Sequence, residues 1–262
     1  MTALRPFLVN ETRLYLREPW IAGLTLALPV VLFLALGLPA SSAAPDPAIG
    51  GHRQVDTALP SLSLGLSLTL LGLFSVPTFL ATYRETGLLR RLAVTPVSPS
   101  TVLTAQLVIS AVTALIAVVA LLLIGWFVIG MAFPASAPGL AAAIVLGTAA
   151  TFGIGLVIAA LASTAKAATG LAFAAMVPSF FLGGVYVPRQ FLPGWVQTIG
   201  DATPLGALRQ AVEIAQTGDG RLWLPLAILT AWSVYSLGQP VLILEMHCCS
   251  LWLSVTSYCG LT

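Results

Sequence analysis

Five long stretches of this chain carry no charged side chain. Glu18 to Asp46 and Asp56 to Arg84 each enclose 27 such residues; Arg91 to Lys166 encloses 74, Lys166 to Arg189 22, and Arg221 to Glu245 23. A charge at the centre of a bilayer costs at least ~2.5 kcal/mol, and about 20 apolar residues cross the hydrocarbon as a helix. Four stretches therefore hold one span each. The stretch of 74 holds two, divided by the turn Phe133-Pro134-Ala135-Ser136-Ala137-Pro138. Composition agrees. The chain is 58% hydrophobic and only 8% charged over 262 residues, against about 25% charged in an ordinary soluble domain. That excludes a soluble globule and a disordered chain alike. A net charge of +2 is too small to argue for a nucleic-acid partner.

The expected fold class is an all-α integral membrane protein with six transmembrane helices, at 20–38, 57–81, 102–130, 139–163, 167–187 and 222–244. Helices are required because an open strand would leave backbone groups unpaired in lipid. The third span is long, so it tilts or projects beyond the bilayer. Ser98 suits its N-cap, with Pro99 at the first helical position. Pro240 removes a donor near the end of the sixth, and a stop at Gly238 is the alternative. Arg5, Arg13, Arg17, Arg84, Arg90, Arg91 and Lys166 fall on one side of this topology; Arg53, Arg189, Arg209 and Arg221 fall on the other. The excess of positive charge puts both termini in the cytoplasm. The first apolar stretch is too long for a secretory signal and reads as a retained span.

Three segments outside the spans carry pattern. In the first, 1–19, Leu4, Phe7, Leu8, Leu14 and Tyr15 share a face, which suits an interfacial helix anchored by Trp20; the plain alternative is a basic flank that sets topology. The loop at 83–100 places Leu88, Leu89 and Leu92 on one face among Arg84, Arg90 and Arg91, with Pro96 ending the helix. This is either a docking element or a connector whose leucines dip into lipid. At 184–221, Phe191 and Trp195 precede a helix in which Leu205, Leu208 and Val212 share a face and Arg209 pairs with Glu213 at i,i+4. Such pieces suit the outer interface, or a re-entrant cap if protein buries them.

Much chemistry is missing. No glycine-rich phosphate loop precedes the single lysine, Lys166. His52 and His247 fall on opposite sides of the membrane, so they form no metal pair. Gly153-Ile154-Gly155 lies within a span and reads as helix packing. Cys248, Cys249 and Cys259 suit neither a structural disulfide nor a zinc site, and Asn10-Glu11-Thr12 is a chance match to a glycosylation acceptor. The six spans contain no Asp, Glu, Lys, Arg or His, which argues against an ion-coupled transporter and an intramembrane hydrolase. The second span offers Ser63, Ser67, Phe74 and Thr78 near one face, and the fifth offers Phe173, Met176, Phe180 and Phe181. Plain packing accounts for any one of these residues; as a set they suit a pathway for flexible apolar or aromatic solutes.

With six spans and these loops, the chain resembles the permeases of type-2 ABC exporters, above all the membrane subunits of bacterial daunorubicin-resistance-type efflux pumps. That family's second cytoplasmic loop typically reads Glu, Gly-Thr-Leu-Glu, Leu-Leu, then Thr-Pro-Val. Glu85, Gly87, Leu89, Leu92, Thr95, Pro96 and Val97 match; Leu88 and Arg90 stand where the family has threonine and an acid. After the fifth span, Gly184, Tyr186, Pro188, Leu192, Pro193 and Trp195 match a Gly-aromatic-Pro…Leu-Pro-x-Trp run. Glu11, Arg13, Leu14, Arg17, Pro19, Leu28 and Pro29 fit the family's usual opening.

The resemblance implies a non-enzymatic subunit in the bacterial plasma membrane. A separate ABC ATPase, holding ATP and magnesium, would dock on the helix formed by 85–93. A second permease half would meet this one, with the second and fifth spans facing the path. Hydrophobic drugs or lipid-like solutes are the expected cargo. A polysaccharide or lipid-linked glycan is the alternative, and a non-transporting assembly subunit is a reading of another class. The tail at 245–262 departs from the family, which usually ends on a basic cluster, and no function is assigned to it.

Overall fold

The computed structural model describes residues 23–47, 51–85, 99–187 and 189–239. These residues are helical, with no strand among them beyond the single bridge of Pro45 with Arg53. Four helices are long and apolar enough to cross a membrane: Gln54–Tyr83, Gln106–Ile129, Ala137–Leu161 and Ala165–Leu182. One shorter apolar helix, Thr25–Gly37, accompanies them among the described residues, and a further helix covers 223–239. The expected interfacial helix at 1–19 and the tail at 245–262 lie outside the described residues.

The bundle is built around the second of the expected spans. Helix α1 (Leu28–Gly37) follows a π turn and packs on α2 (Ala58–Thr69). A π turn at Leu70–Ser75 joins α2 to α3 (Val76–Glu85). The π turn has a local cause. Val76 donates to the Leu71 carbonyl; in that register Gly72 would be served by residue 77, a proline with no N–H. The Gly72 carbonyl instead faces Gly155 of α5 (Ala137–Leu161), where a Cβ would overlap it. The two helices therefore touch backbone to backbone, a geometry that favours Cα–H···O contacts. Gly153 similarly leaves room for Ser236, so the Gly153-Ile154-Gly155 glycines serve helix packing.

Helix α4 (Pro99–Ile124) begins on Pro99 and ends, through a π turn, at Gly130, whose φ of 75° stops it in the left-handed region. Ser136 caps α5 by accepting from the Gly139 N–H at 3.2 Å. Helix α6 (Ala165–Leu182) is capped by Thr164 and takes in Lys166. It ends at Gly183, short of the expected Val187, because Gly184 turns the chain with φ of 72°. Beyond it, α7 (Gly194–Ala202) and α8 (Pro204–Thr217) form a helical hairpin, and α9 spans 223–239.

The largest apolar cluster joins Leu64, Leu68, Leu71 and Val76 to α4 through Val118 and Leu121, to α5 through Leu140 and Ala143, and to α8 through Leu208 and Val212. At the end of the bundle nearest Glu85, Ala81, Ala162 and Ala168 pack together; small side chains let these helix ends approach closely. The opposite end is stitched by polar contacts. Asp56 accepts from Arg53 and from the Ala132 N–H, Arg53 reaches the Gly130 carbonyl, and His52 lies 2.7 Å from Asp219.

Candidate functional site

The two faces singled out in the second and fifth spans meet. Phe74 and Phe173 pack edge to face with ring centroids 5.4 Å apart, and Phe74, Met176 and Phe180 share one apolar cluster with Leu66, Leu70 and Leu205. Edge-to-face pairs of this kind add ~0.5–1.5 kcal/mol beyond burial. Ser63, Ser67 and Phe74 are buried within the single chain, and Thr78 is half-buried, its hydroxyl donating to the Phe74 carbonyl at 2.7 Å. Phe173 and Phe181 are exposed, whereas Met176 and Phe180 are buried. The Ser63 and Ser67 hydroxyls have no hydrogen-bond partner among the described residues. A helical serine ordinarily bonds back to the preceding turn, and an unpaired buried hydroxyl costs ~1–3 kcal/mol. The protein maintains two of them one turn apart on α2.

Helix α6 is the least enclosed of the four long helices. Leu171, Phe173, Val177 and Phe181 are exposed on it, as Trp195 and Ile199 are on α7.

The α7–α8 hairpin supplies the part of the site that the sequence left undecided. Leu205, Leu208 and Val212, the shared apolar face, are at most 2% exposed, so α8 lies inside the protein rather than upon it. A Cβ at Gly147 would strike Leu208 and one at Gly65 would strike Leu205 at 2.8 Å, so glycines in α5 and α2 make the slot that α8 fills. The turn between the helices has its polar groups paired. Thr203 Oγ1 donates to the Gly200 carbonyl and accepts from the Gly206 N–H, and the Trp232 indole donates to the Ala202 carbonyl at 2.8 Å. Trp232 lies nine residues into α9, about 13 Å from its start at 1.5 Å per residue. The other end of α8 is held by the 130–136 loop, where the Ala135 and Ser136 N–H groups donate to the Gln216 and Ala215 carbonyls.

Arg209 is the buried charge of this hairpin. Its guanidinium donates to the Gly183 carbonyl at the end of α6 and to Glu213 at 3.2 Å. Glu213 also accepts from Ser61 of α2 at 2.7 Å. A cation at the C-terminus of α6 complements the negative end of that helix. Burial lowers the Arg209 pKa and Glu213 opposes the shift; a guanidinium remains protonated in proteins. Beside it, Arg189 forms a two-point pair with Asp201. These groups, with Gln197 and Gln210, line a small cavity of about 20 Å3, room for about one water.

The matched motif after the fifth span now has physical content. Gly184 has the positive φ, and a Cβ there would lie 2.8 Å from the Arg209 guanidinium. Tyr186 is exposed with its ring edge-on to Phe180 at 5.9 Å. The Pro193 carbonyl accepts from Val196 and Gln197 at the start of α7, and Trp195 is exposed. Pro188 lies outside the described residues. So do Gly87, Leu88, Leu89, Arg90, Arg91, Leu92, Thr95 and Pro96 of the expected docking loop; Glu85 is exposed at the end of α3. Sequence reasoning found the Arg209–Glu213 pair but not its burial. The signal lay in the neighbouring Leu205, Leu208 and Val212, which also pack on this helix's inner side. Among the described residues no cluster of ligating side chains could hold a metal ion.

A family of known proteins matches this chain: the model described as ABC-2 type transporter covers residues 3–216. No curated protein matches it.

Proposed function

The chain belongs to the ABC-2 type transporter family, and from that footing we propose that it moves hydrophobic drugs or lipid-like solutes out of a bacterial cell. It is a multi-pass membrane permease of an ABC transporter. The match over 3–216 carries this reading, and the lack of ionisable side chains in the expected spans supports it. A permease so built has no ion-coupling group of its own, so the driving force comes from a separate ATPase that binds ATP and magnesium.

In this reading the segments 23–37 and 223–239 complete six spans, both termini are cytoplasmic, and the end carrying the 130–136 loop is external. The α7–α8 hairpin is a re-entrant cap, a role supported by the pairing of its turn. Two permease halves meet along the exposed side chains of α6, and solute passes between them beside Phe173 and Phe181, with Phe74, Met176 and Phe180 behind. Ser63 and Ser67 offer hydroxyls to polar groups on the cargo, as their unpartnered state suggests. The ATPase docks on Glu85, Gly87, Leu88, Leu89, Arg90, Arg91, Leu92, Thr95 and Pro96. Its motion reaches the bundle through Ala81, packed against Ala162 and Ala168.

The test is reconstitution with the cognate ATPase in liposomes. ATP-dependent movement of an apolar dye is expected, and the Leu89→Asp/Leu92→Asp variant should insert normally yet lose it. Full transport by that variant refutes the docking assignment. Movement of a lipid-linked glycan but of no apolar solute refutes the cargo assignment, and no ATP-dependent movement of either favours an assembly subunit.

A further inference from the structure

We propose that Arg209 and Glu213 form a polar bolt that holds the α7–α8 hairpin shut against the second and fifth spans, and that solute release requires this bolt to open. The inference rests on the exporter reading and adds to it the contact that regulates the exit.

Three elements converge on the pair. Arg209 itself sits on α8. Through the Gly183 carbonyl it grips the last turn of α6. Through Glu213 and Ser61 it grips the first turns of α2. These are the two spans that bear the path. Apolar packing alone is a smooth, non-directional attraction, but a charged hydrogen bond has one geometry and is lost abruptly when it is stretched. Such a link makes a helix either seated or unseated, with little between.

The site is built for opening rather than for permanent burial. Arg209 Nε is buried with no hydrogen-bond partner among the described residues, so in the seated state the guanidinium has a donor that none of them uses. The adjoining cavity holds about one water, and Asp201 and Arg189 line it. Water entering there competes for the Gly183 and Glu213 bonds without having to cross an apolar seal. Gly65 and Gly184 permit the close approach: side chains there would meet Arg209 at 3.2 and 2.8 Å. Asp201 pairs with Arg189 and Glu213 with Arg209, so among the described residues Glu213 is the carboxylate that holds the bolt.

The test uses the full chain in lipid vesicles, without ATPase or nucleotide. Cys248, Cys249 and Cys259 are replaced by serine, and Ala211→Cys, fully buried on α8, becomes the reporter. A membrane-impermeant maleimide is added on the side of the 130–136 loop. In the parent the thiol should label slowly. In Glu213→Gln it should label severalfold faster, because a neutral amide oxygen accepts from Arg209 more weakly than a carboxylate does. Glu213→Asp keeps the charge but draws the carboxylate back by about one methylene, so it should label faster than the parent and no faster than Glu213→Gln. Ser61→Ala removes one grip without unpairing a charge and should raise labelling severalfold, so it carries the test if Glu213→Gln does not fold.

Unchanged labelling in folded Glu213→Gln and in Ser61→Ala would overturn the bolt. Faster labelling in Glu213→Asp than in Glu213→Gln would overturn it too, since the charge would then count against closure. Labelling needs no transport. A rise in labelling without ATP-driven export would sink the exporter reading and leave the bolt standing, whereas export with unchanged labelling would sink the bolt alone.

Discussion

Replacing Gly72 by alanine tests the backbone contact at the centre of the bundle. The added Cβ would lie 2.7 Å from both the carbonyl carbon and the Cβ of Thr151, and 2.8 Å from its Oγ1. Carbon atoms in ordinary contact sit about 3.5–4.0 Å apart, so the π turn at Leu70–Ser75 and α5 must separate by about 1 Å. The nearest obstacle includes backbone, which cannot rotate aside, and the Thr151 hydroxyl is tied to the Gly147 carbonyl at 2.9 Å. Overpacking of this kind costs ~1–3 kcal/mol. For a chain of this size each kcal/mol moves a melting midpoint by about 2–4 °C, so the variant should melt roughly 2–12 °C lower. Gly170→Ala is the matched control: it lies in a helix, with nothing within 4 Å of its added Cβ. Both are measured by intrinsic tryptophan fluorescence in one detergent or nanodisc preparation, which makes the difference meaningful even if unfolding is not two-state. If Gly72→Ala melts with Gly170→Ala, the helices are not in backbone contact and the account of the π turn fails with it.

Gly184→Ala should lower the melting midpoint more than Gly51→Ala. Both residues have positive φ, costing ~1–2 kcal/mol for alanine, but only Gly184 also meets Arg209, while Gly51 has nothing within 4 Å. Leu208→Ala, fully buried against Gly147, should cost ~2–5 kcal/mol and show the same midpoint assay a large drop. His52→Ala should move the midpoint by no more than about 1–4 °C, because its pair with Asp219 is exposed. In a background otherwise free of cysteine, Val177→Cys on α6 should give disulfide-linked dimers on oxidation in vesicles. Val119→Cys, 44% exposed on α4 against 53% for Val177, should not; the reverse result would move the meeting face of two identical halves to α4.

The expected docking loop, 85–96, is legible as a motif alone: Glu85 ends α3, and the residues after it lie outside the described ones. The faces proposed for the path were half legible. Period 3.6 puts Phe74 and Met176 on apolar faces, but every face of a membrane helix is apolar, so hydropathy does not say which one meets which. The edge-on contact of Phe74 with Phe173 is a fact of packing.

What the sequence determined by itself is the solvent. Uninterrupted apolar runs admit no stable arrangement in water, and a bilayer leaves the backbone no choice but helix. The ends of those helices are also written locally, in Pro99, Ser136, Thr164 and the glycines that follow them. Only the tertiary structure decided which helix is enclosed and which is bare, and it turned Arg209 and Glu213 from a helix-surface pair into a partly buried link among three elements. The physical reason is that, once every span is apolar, burial no longer sorts one face from another. The sorting falls to shape: the glycines that let α5 and α8 come close, and the few polar atoms that must find partners where no water is available.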